Sequence, residues 1–185
     1  MNIPYLKLTT RFPGISLLVL ILPLLAACAA PQSPYKAYVG EERSSAQLAL
    51  LKGAFYSRRD WLNRYVDTIR FLSVDGQQIE NSGRFNEILV TPGAHEITVY
   101  FSWDTGSQRG LAPALVDYAS TKGTLSRTFT VNVNAGQLYH VRGNPIFVED
   151  KSRDITGLTH VDFWVEDEYG NMVVSKEQGR YIPEG

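Results

Sequence analysis

Apolar and polar positions alternate through most of the chain after residue 45. Ile97, Val99, Phe101 and Trp103 interleave with Glu96, Thr98, Tyr100 and Ser102, and Phe129, Val131 and Val133 with Thr128, Thr130 and Asn132. A period of two puts one row of side chains on a core face and the other outside, so these stretches are predicted to be half-buried β-strands. Apolar or β-branched runs at 46–52, 68–74, 84–90, 138–142, 161–167 and 172–174 extend the series. Turn chemistry separates them. Asp75-Gly76 suits a tight turn, Thr91-Pro-Gly-Ala94 combines a preset φ with a residue free to take positive φ, and Asn134-Ala-Gly136 is predicted to close a hairpin over Leu125–Arg142. Glu168–Asn171 forms the last turn.

Residues 54–67 read differently. Asp60 caps either a short helix near 60–67 carrying Trp61, Leu62, Tyr65 and Val66 or the start of an excursion whose aromatics close one end of the core. The sum is an all-β chain, an antiparallel β-sandwich of about seven to eight strands, with a small barrel as the second architecture.

Two irregular stretches, Asp104–Gly123 and Gly143–His160, are longer than a hairpin needs and flank the 125–142 hairpin. Both are expected at its open end, where they form a candidate partner-binding surface. Leu111, Leu115, Tyr118, Ile146 and Phe147 are its apolar contacts, and Arg109, Asp117 and Lys151 its rim. The competing reading is that these apolar residues pin the loops to the core.

The N-terminus has its own pattern. Lys7 and Arg11 precede the apolar run Ile15–Leu25, which Pro23 interrupts and which falls short of the ~20 residues of a spanning helix. It ends at Leu25-Ala26-Ala27-Cys28, and Cys28 is the one cysteine of the chain. This resembles the lipobox of bacterial lipoproteins. The resemblance implies cleavage between Ala27 and Cys28, a diacylglycerol on the Cys28 sulfur and an acylated α-amine, so the protein is expected to be anchored to a bilayer without spanning it. An ordinary secretory signal cut after Ala29 or Ala30, which would remove Cys28 with the leader, is the alternative. Ala29 stands where aspartate favours inner-membrane retention in that pattern, which implies an outer membrane, facing the periplasm.

The expected organisation is therefore a signal peptide at 1–27, a lipidated and flexible tether at 28–45, a β-sandwich domain at 46–174 and a polar tail at 175–185. Removing residues 1–27 from 185 leaves 158, enough for one domain that buries roughly 70% of its unfolded surface. Lys7 and Arg11 go with the leader, so 16 basic residues face 19 acidic ones. That balance argues against nucleic acid as a partner.

Ser73-Val-Asp-Gly-Gln77 followed by Val90-Thr-Pro-Gly-Ala-His-Glu-Ile-Thr-Val99 resembles PEGA-type surface modules and small bacterial lipoproteins of uncharacterised function, as does Phe129–Tyr139 with its central Ala-Gly. The resemblance spans about residues 46–174 and lies in turn and core positions. It implies fold and location and carries over no catalytic residue.

Other constellations point more weakly. Asp104-Thr-Gly-Ser107 matches the local motif of aspartic proteases, which need two carboxylates, so an aspartic-type hydrolase would require a homodimer. His95, His140 and His160 fall on different elements, which gives no spacing for a metal. Asp150–Asp154 starts like a calcium loop, but Ile155 stands at the glycine position and Val161 at the closing glutamate. The reading is a lipid-anchored, non-enzymatic module without metal or cofactor, binding an envelope protein or glycan. A small-ligand carrier of barrel type is the alternative.

Overall fold

A computed structural model of the chain describes residues 33–59, 64–103, 125–148 and 157–183. Among these residues the strands are β1 (Tyr35–Lys36), β2 (Ala49–Gly53), β3 (Phe55–Arg59), β4 (Arg64–Val74), β5 (Gln77–Gln78) and β6 (Glu87–Val90). They continue with β7 (Gly93–Trp103), β8 (Ser126–Val133), β9 (Leu138–Phe147), β10 (Leu158–Asp167) and β11 (Met172–Tyr181). Two sheets form, in the orders β1-β6-β2-β9-β10-β11 and β3-β4-β7-β8, with β5 added to β4. They do not close into a barrel, so the all-β sandwich expected from the alternation is the architecture found.

The inward rows meet between the sheets. Ile69, Phe71, Ile97, Val99 and Phe101 from the second sheet pack with Leu51, Ile88, Val141, Phe163 and Val165 from the first, all fully or almost fully buried. Fully burying a side chain of this size contributes roughly 1.5–3 kcal/mol, which is why one missing contact row would undo the fold.

The chain passes between sheets at corners. At Gly53-Ala54 it leaves β2 and enters β3 almost without a break. Ala54 donates its N–H to the Val141 carbonyl of β9 and accepts from the Ile69 N–H of β4, so one residue is bonded into both sheets. Asp75 and Gly76 both have positive φ, as a two-residue hairpin turn between β4 and β5 requires. The Pro92-Gly93 corner, with φ +128° at Gly93, carries the chain from β6 in the first sheet to β7 in the second.

Several expectations are corrected. The Leu125–Arg142 stretch is not a hairpin: β8 pairs with β7, β9 pairs with β2 and β10, and the Asn134–Gly136 turn crosses between sheets. Its backbone serves β2 instead, Gly136 donating to the Leu48 carbonyl while Leu50 donates to Gln137. The sandwich is not wholly antiparallel, because β1 runs parallel to β6 and β2 parallel to β9. Tyr65 and Val66 lie in β4, opposite Arg58 and Ser57 of β3, so no helix runs through them; residues 60–63 lie outside the described ones. The tail expected from 175 continues β11 to Tyr181 after a bulge at Ser175–Gln178, held by Ser175 N–H on the Gln178 side chain and Gln178 N–H on Ser175 Oγ. Finally, the stretch 28–45 is not tether throughout, since Tyr35 and Lys36 pair with Ile88 and Leu89.

Candidate functional site

The two motif turns meet. His95, at the start of β7, is buried; its Nδ1 lies 2.7 Å from Asp75 Oδ2 and its Nε2 2.7 Å from the Thr91 carbonyl oxygen. Asp75 Oδ1 accepts the Glu96 N–H at 2.9 Å. One ring nitrogen meets the Asp75 carboxylate and the other the Thr91 carbonyl, so the ring ties the Asp75-Gly76 turn to the Pro92-Gly93 corner. Desolvation alone would raise the Asp75 carboxyl, but the His95 hydrogen bond, the Glu96 N–H and the His95 charge together bring it below its ordinary 3.8. Every hydrogen-bonding position of the imidazole is taken up within the fold, so His95 is a latch.

A pH dependence follows with a definite sign. A carboxyl depressed on folding contributes stability above its unfolded value and loses it as pH falls through the folded one. Denaturant midpoints measured between pH 6 and pH 3 should fall more steeply in the natural protein than in Asp75→Asn, with the difference opening below about 3.8. His95→Ala should cost about 1–3 kcal/mol at neutral pH, because it leaves the Asp75 carboxylate and the Thr91 carbonyl without their shared donor.

The residues expected to form a partner-binding surface divide into two sets. Leu111, Leu115, Tyr118, Arg109, Asp117 and Lys151 lie outside the described residues, as do Ala27, Cys28, Asp104 and the 150–154 motif. Ile146 and Phe147 are described, and they are not in a loop. They end β9, opposite His160 and Leu158 of β10. Phe147 packs against the core together with Leu158 and Tyr181, which is the pinning role and not a free contact. The irregular stretch expected from 143 is strand up to Phe147 on one side and from Leu158 on the other.

The outward face of the first sheet carries a set of neighbouring ion pairs. Arg180 makes a two-pronged pair with Asp162, at 2.7 and 3.3 Å, and His160 Nε2 stands 3.7 Å from the same carboxylate. Glu166 accepts from Trp164 Nε1 at 2.7 Å and from Arg142 Nε at 3.2 Å, while the Lys176 ammonium sits 4.6 Å from the centre of the Trp164 ring. Lys52 pairs with Glu87 at 2.6 Å. Between these pairs His140 is held below its ordinary 6.5 by desolvation first and then by Arg142 and Lys52, with Glu166 opposing. Alternating outward residues could have flagged this face from the sequence. Lys52, Arg142 and Arg180 each face a carboxylate and Lys176 rests on an aromatic ring, so these contacts bind strand to strand. Among the described residues no three of His, Cys, Asp and Glu converge as a metal site would need.

A second feature was not foreseen. An open cleft of about 180 Å³ lies between the Tyr35–Tyr38 stretch and the β4–β5 turn, lined by Tyr35, Lys36, Tyr38, Gln77, Gln78 and Ile79 among others. Tyr35 stacks edge-on against Phe85 at 5.2 Å, which holds β1 to the body of the domain. The Lys36 ammonium donates to the Gly40 carbonyl at 3.0 Å and rests 4.8 Å from the centre of the Tyr38 ring, and the Arg43 guanidinium stands 5.8 Å from the same ring. Phenols, carboxamides and an ammonium converge on one concavity that no single stretch of sequence announces. The Tyr-Lys-Ala-Tyr spacing was the available signal, hidden by its position in an apparent tether.

The fold thus defines an all-β sandwich with a latched pair of turns and one polar cleft. Comparison with protein-family models, curated proteins and solved structures finds no match to this chain.

Proposed function

We propose that the protein is a lipid-anchored, non-enzymatic module of the cell envelope that presents a β-sandwich to a partner, protein or glycan, from the periplasmic side of an outer membrane. The observation that carries this reading is the single cysteine, Cys28, placed directly after an apolar run at Leu25-Ala26-Ala27. A lipidated sulfur gives that thiol a use, and two or more acyl chains give lasting attachment where one gives marginal binding. The fold is consistent with a scaffold. Its interior is filled by side chains from both sheets, its sheets do not close around a lumen, and its most buried histidine is tied up in a latch. That latch joins Asp75 to His95, two polar residues of the motif on which the resemblance to small lipoproteins rests.

Cys28→Ser should abolish metabolic labelling by fatty acid and leave the precursor with residues 1–27 attached, seen as a heavier band on a gel. Labelling that survives the substitution would sink the anchored reading.

A further inference from the structure

We infer that the cleft between the Tyr35–Tyr38 stretch and the Gln77–Gln78 ribbon takes the zwitterionic headgroup of a phospholipid from the bilayer that holds Cys28. The inference rests on the anchored reading and goes beyond it, by assigning the domain a second, non-covalent hold on the membrane.

Reach is the first argument. Six residues separate Cys28 from Tyr35, which makes seven Cα-to-Cα steps. Fully extended they span at most roughly 25 Å, so β1 cannot stand further than that from the depth at which a lipidated sulfur sits. Tyr35 and Lys36 themselves line the cleft, so the linker is short enough to bring the cleft to the headgroup layer.

Chemistry is the second. Two phenols, two carboxamides and an ammonium supply the donors that phosphate oxygens accept. Lys36 is placed by Gly40 and Tyr38 yet spends one N–H on that carbonyl, and an ammonium carries three.

Shape and sign complete the match. Val39, 78% exposed, stands at a bend beside Gly40, whose φ is +102°. An exposed valine next to a tyrosine suits the boundary between headgroups and acyl chains, where amphipathic rings settle. Lys36 and Arg43 are balanced by Glu41 and Glu42, so the stretch carries no net charge. Docking on an anionic surface takes a cluster of about 4–8 cations, whereas the cleft is lined by one, Lys36, for a phosphate, and by phenol and carboxamide oxygens that can accept from a headgroup ammonium.

The test uses the full lipidated protein in vesicles of phosphatidylethanolamine and phosphatidylcholine with a nitroxide on a fraction of the headgroups. Val39→Trp reports at the cleft. Tyr169→Trp reports from the equally exposed β10–β11 turn, on the opposite edge of the same sheet. Quenching at position 39 should exceed that at 169 several-fold, and Lys36→Glu with Gln78→Glu should remove the excess while leaving the melting temperature unchanged. Equal quenching at both positions, or an excess that persists in the double variant, overturns the inference. Quenching that needs anionic lipid, or that millimolar inorganic phosphate abolishes, overturns the zwitterionic lipid as ligand. Mass spectrometry of the same preparation keeps the two readings apart. A Cys28 without diacylglycerol defeats both, and a lipidated Cys28 without differential quenching defeats this one alone.

Discussion

Phe101→Ala is expected to lower stability by on the order of 3–5 kcal/mol, through lost transfer energy and the cavity left behind. The ring is 2% exposed and lies against Gly143 of β9, across the interface from its own strand. Nothing nearby is positioned to fill the space, because Ile69 and Phe163 already crowd the same glycine from either side. Thr98, on the same strand, points outward and shares a 2.9 Å hydrogen bond with Thr128 of β8. Thr98→Ala should therefore cost only about 0.5–1 kcal/mol, the net worth of an ordinary hydrogen bond at a wet surface. Urea midpoints of the two variants, measured side by side, check the contrast. Equal losses would mean that the inward and outward rows of β7 have been exchanged.

Gly53→Ala should be as damaging although it adds a single methyl group. A Cβ at this position would overlap the Ile69 carbonyl oxygen of β4 and stand 3.3 Å from the Asn86 carbonyl. Both are backbone atoms, and neither is free to move: Asn86 accepts the Gly53 N–H at 2.6 Å, and the next residue, Ala54, bridges the two sheets. The expected loss is about 3 kcal/mol or more, at the upper end for overpacking, because relief requires separating strands instead of turning a rotamer. Gly143→Ala supplies the comparison. Its Cβ would meet the Ile69 Cδ1 methyl at 2.5 Å, the far end of a side chain that can rotate, and a loss of about 1–3 kcal/mol is expected. A Gly53→Ala protein as stable as Gly143→Ala would show that the β2–β3 corner can open without cost.

The strands of this protein were legible wherever one face is wet. Through Glu96–Ser102 and Thr128–Val133 the outward row is polar, and the alternation fixes both the element and its faces. Elements that depend on their neighbours were not. β11 resumes at Gly179 after Ser175–Gln178 bulges out, and glycine is needed there because a Cβ would overlap the Phe163 carbonyl. A polar run with a glycine looks the same whether it frays or docks. Tyr35–Lys36 is likewise strand only because Ile88 and Leu89 offer an edge.

The candidate sites divide in the same way. The proposed lipid site at Cys28 rests on position along the chain alone, since a pattern of that kind needs no folded surroundings. His95 was legible as a turn residue, but its partners lie 20 residues back at Asp75 and 4 back at Thr91, and only the fold brings them within 2.7 Å. The cleft at Lys36 was invisible, since its walls come from residues about 40 positions apart.

Local pattern alone was enough for the period-two strands and the turns with positive φ, because each follows from steric and hydropathic preferences a few residues long. Which sheet each strand joins was left to the tertiary structure. Asn134-Ala-Gly136 has the chemistry of a hairpin turn, yet its Gly136 N–H goes to the Leu48 carbonyl, the next residue, Gln137, accepts the Leu50 N–H, and Tyr139 Oη accepts the Asn134 N–H. β8 and β9 are thereby sent to opposite sheets. That outcome reflects competition among distant backbone partners for the same hydrogen bonds, with burial of both apolar rows deciding the winner, and no local pattern encodes it.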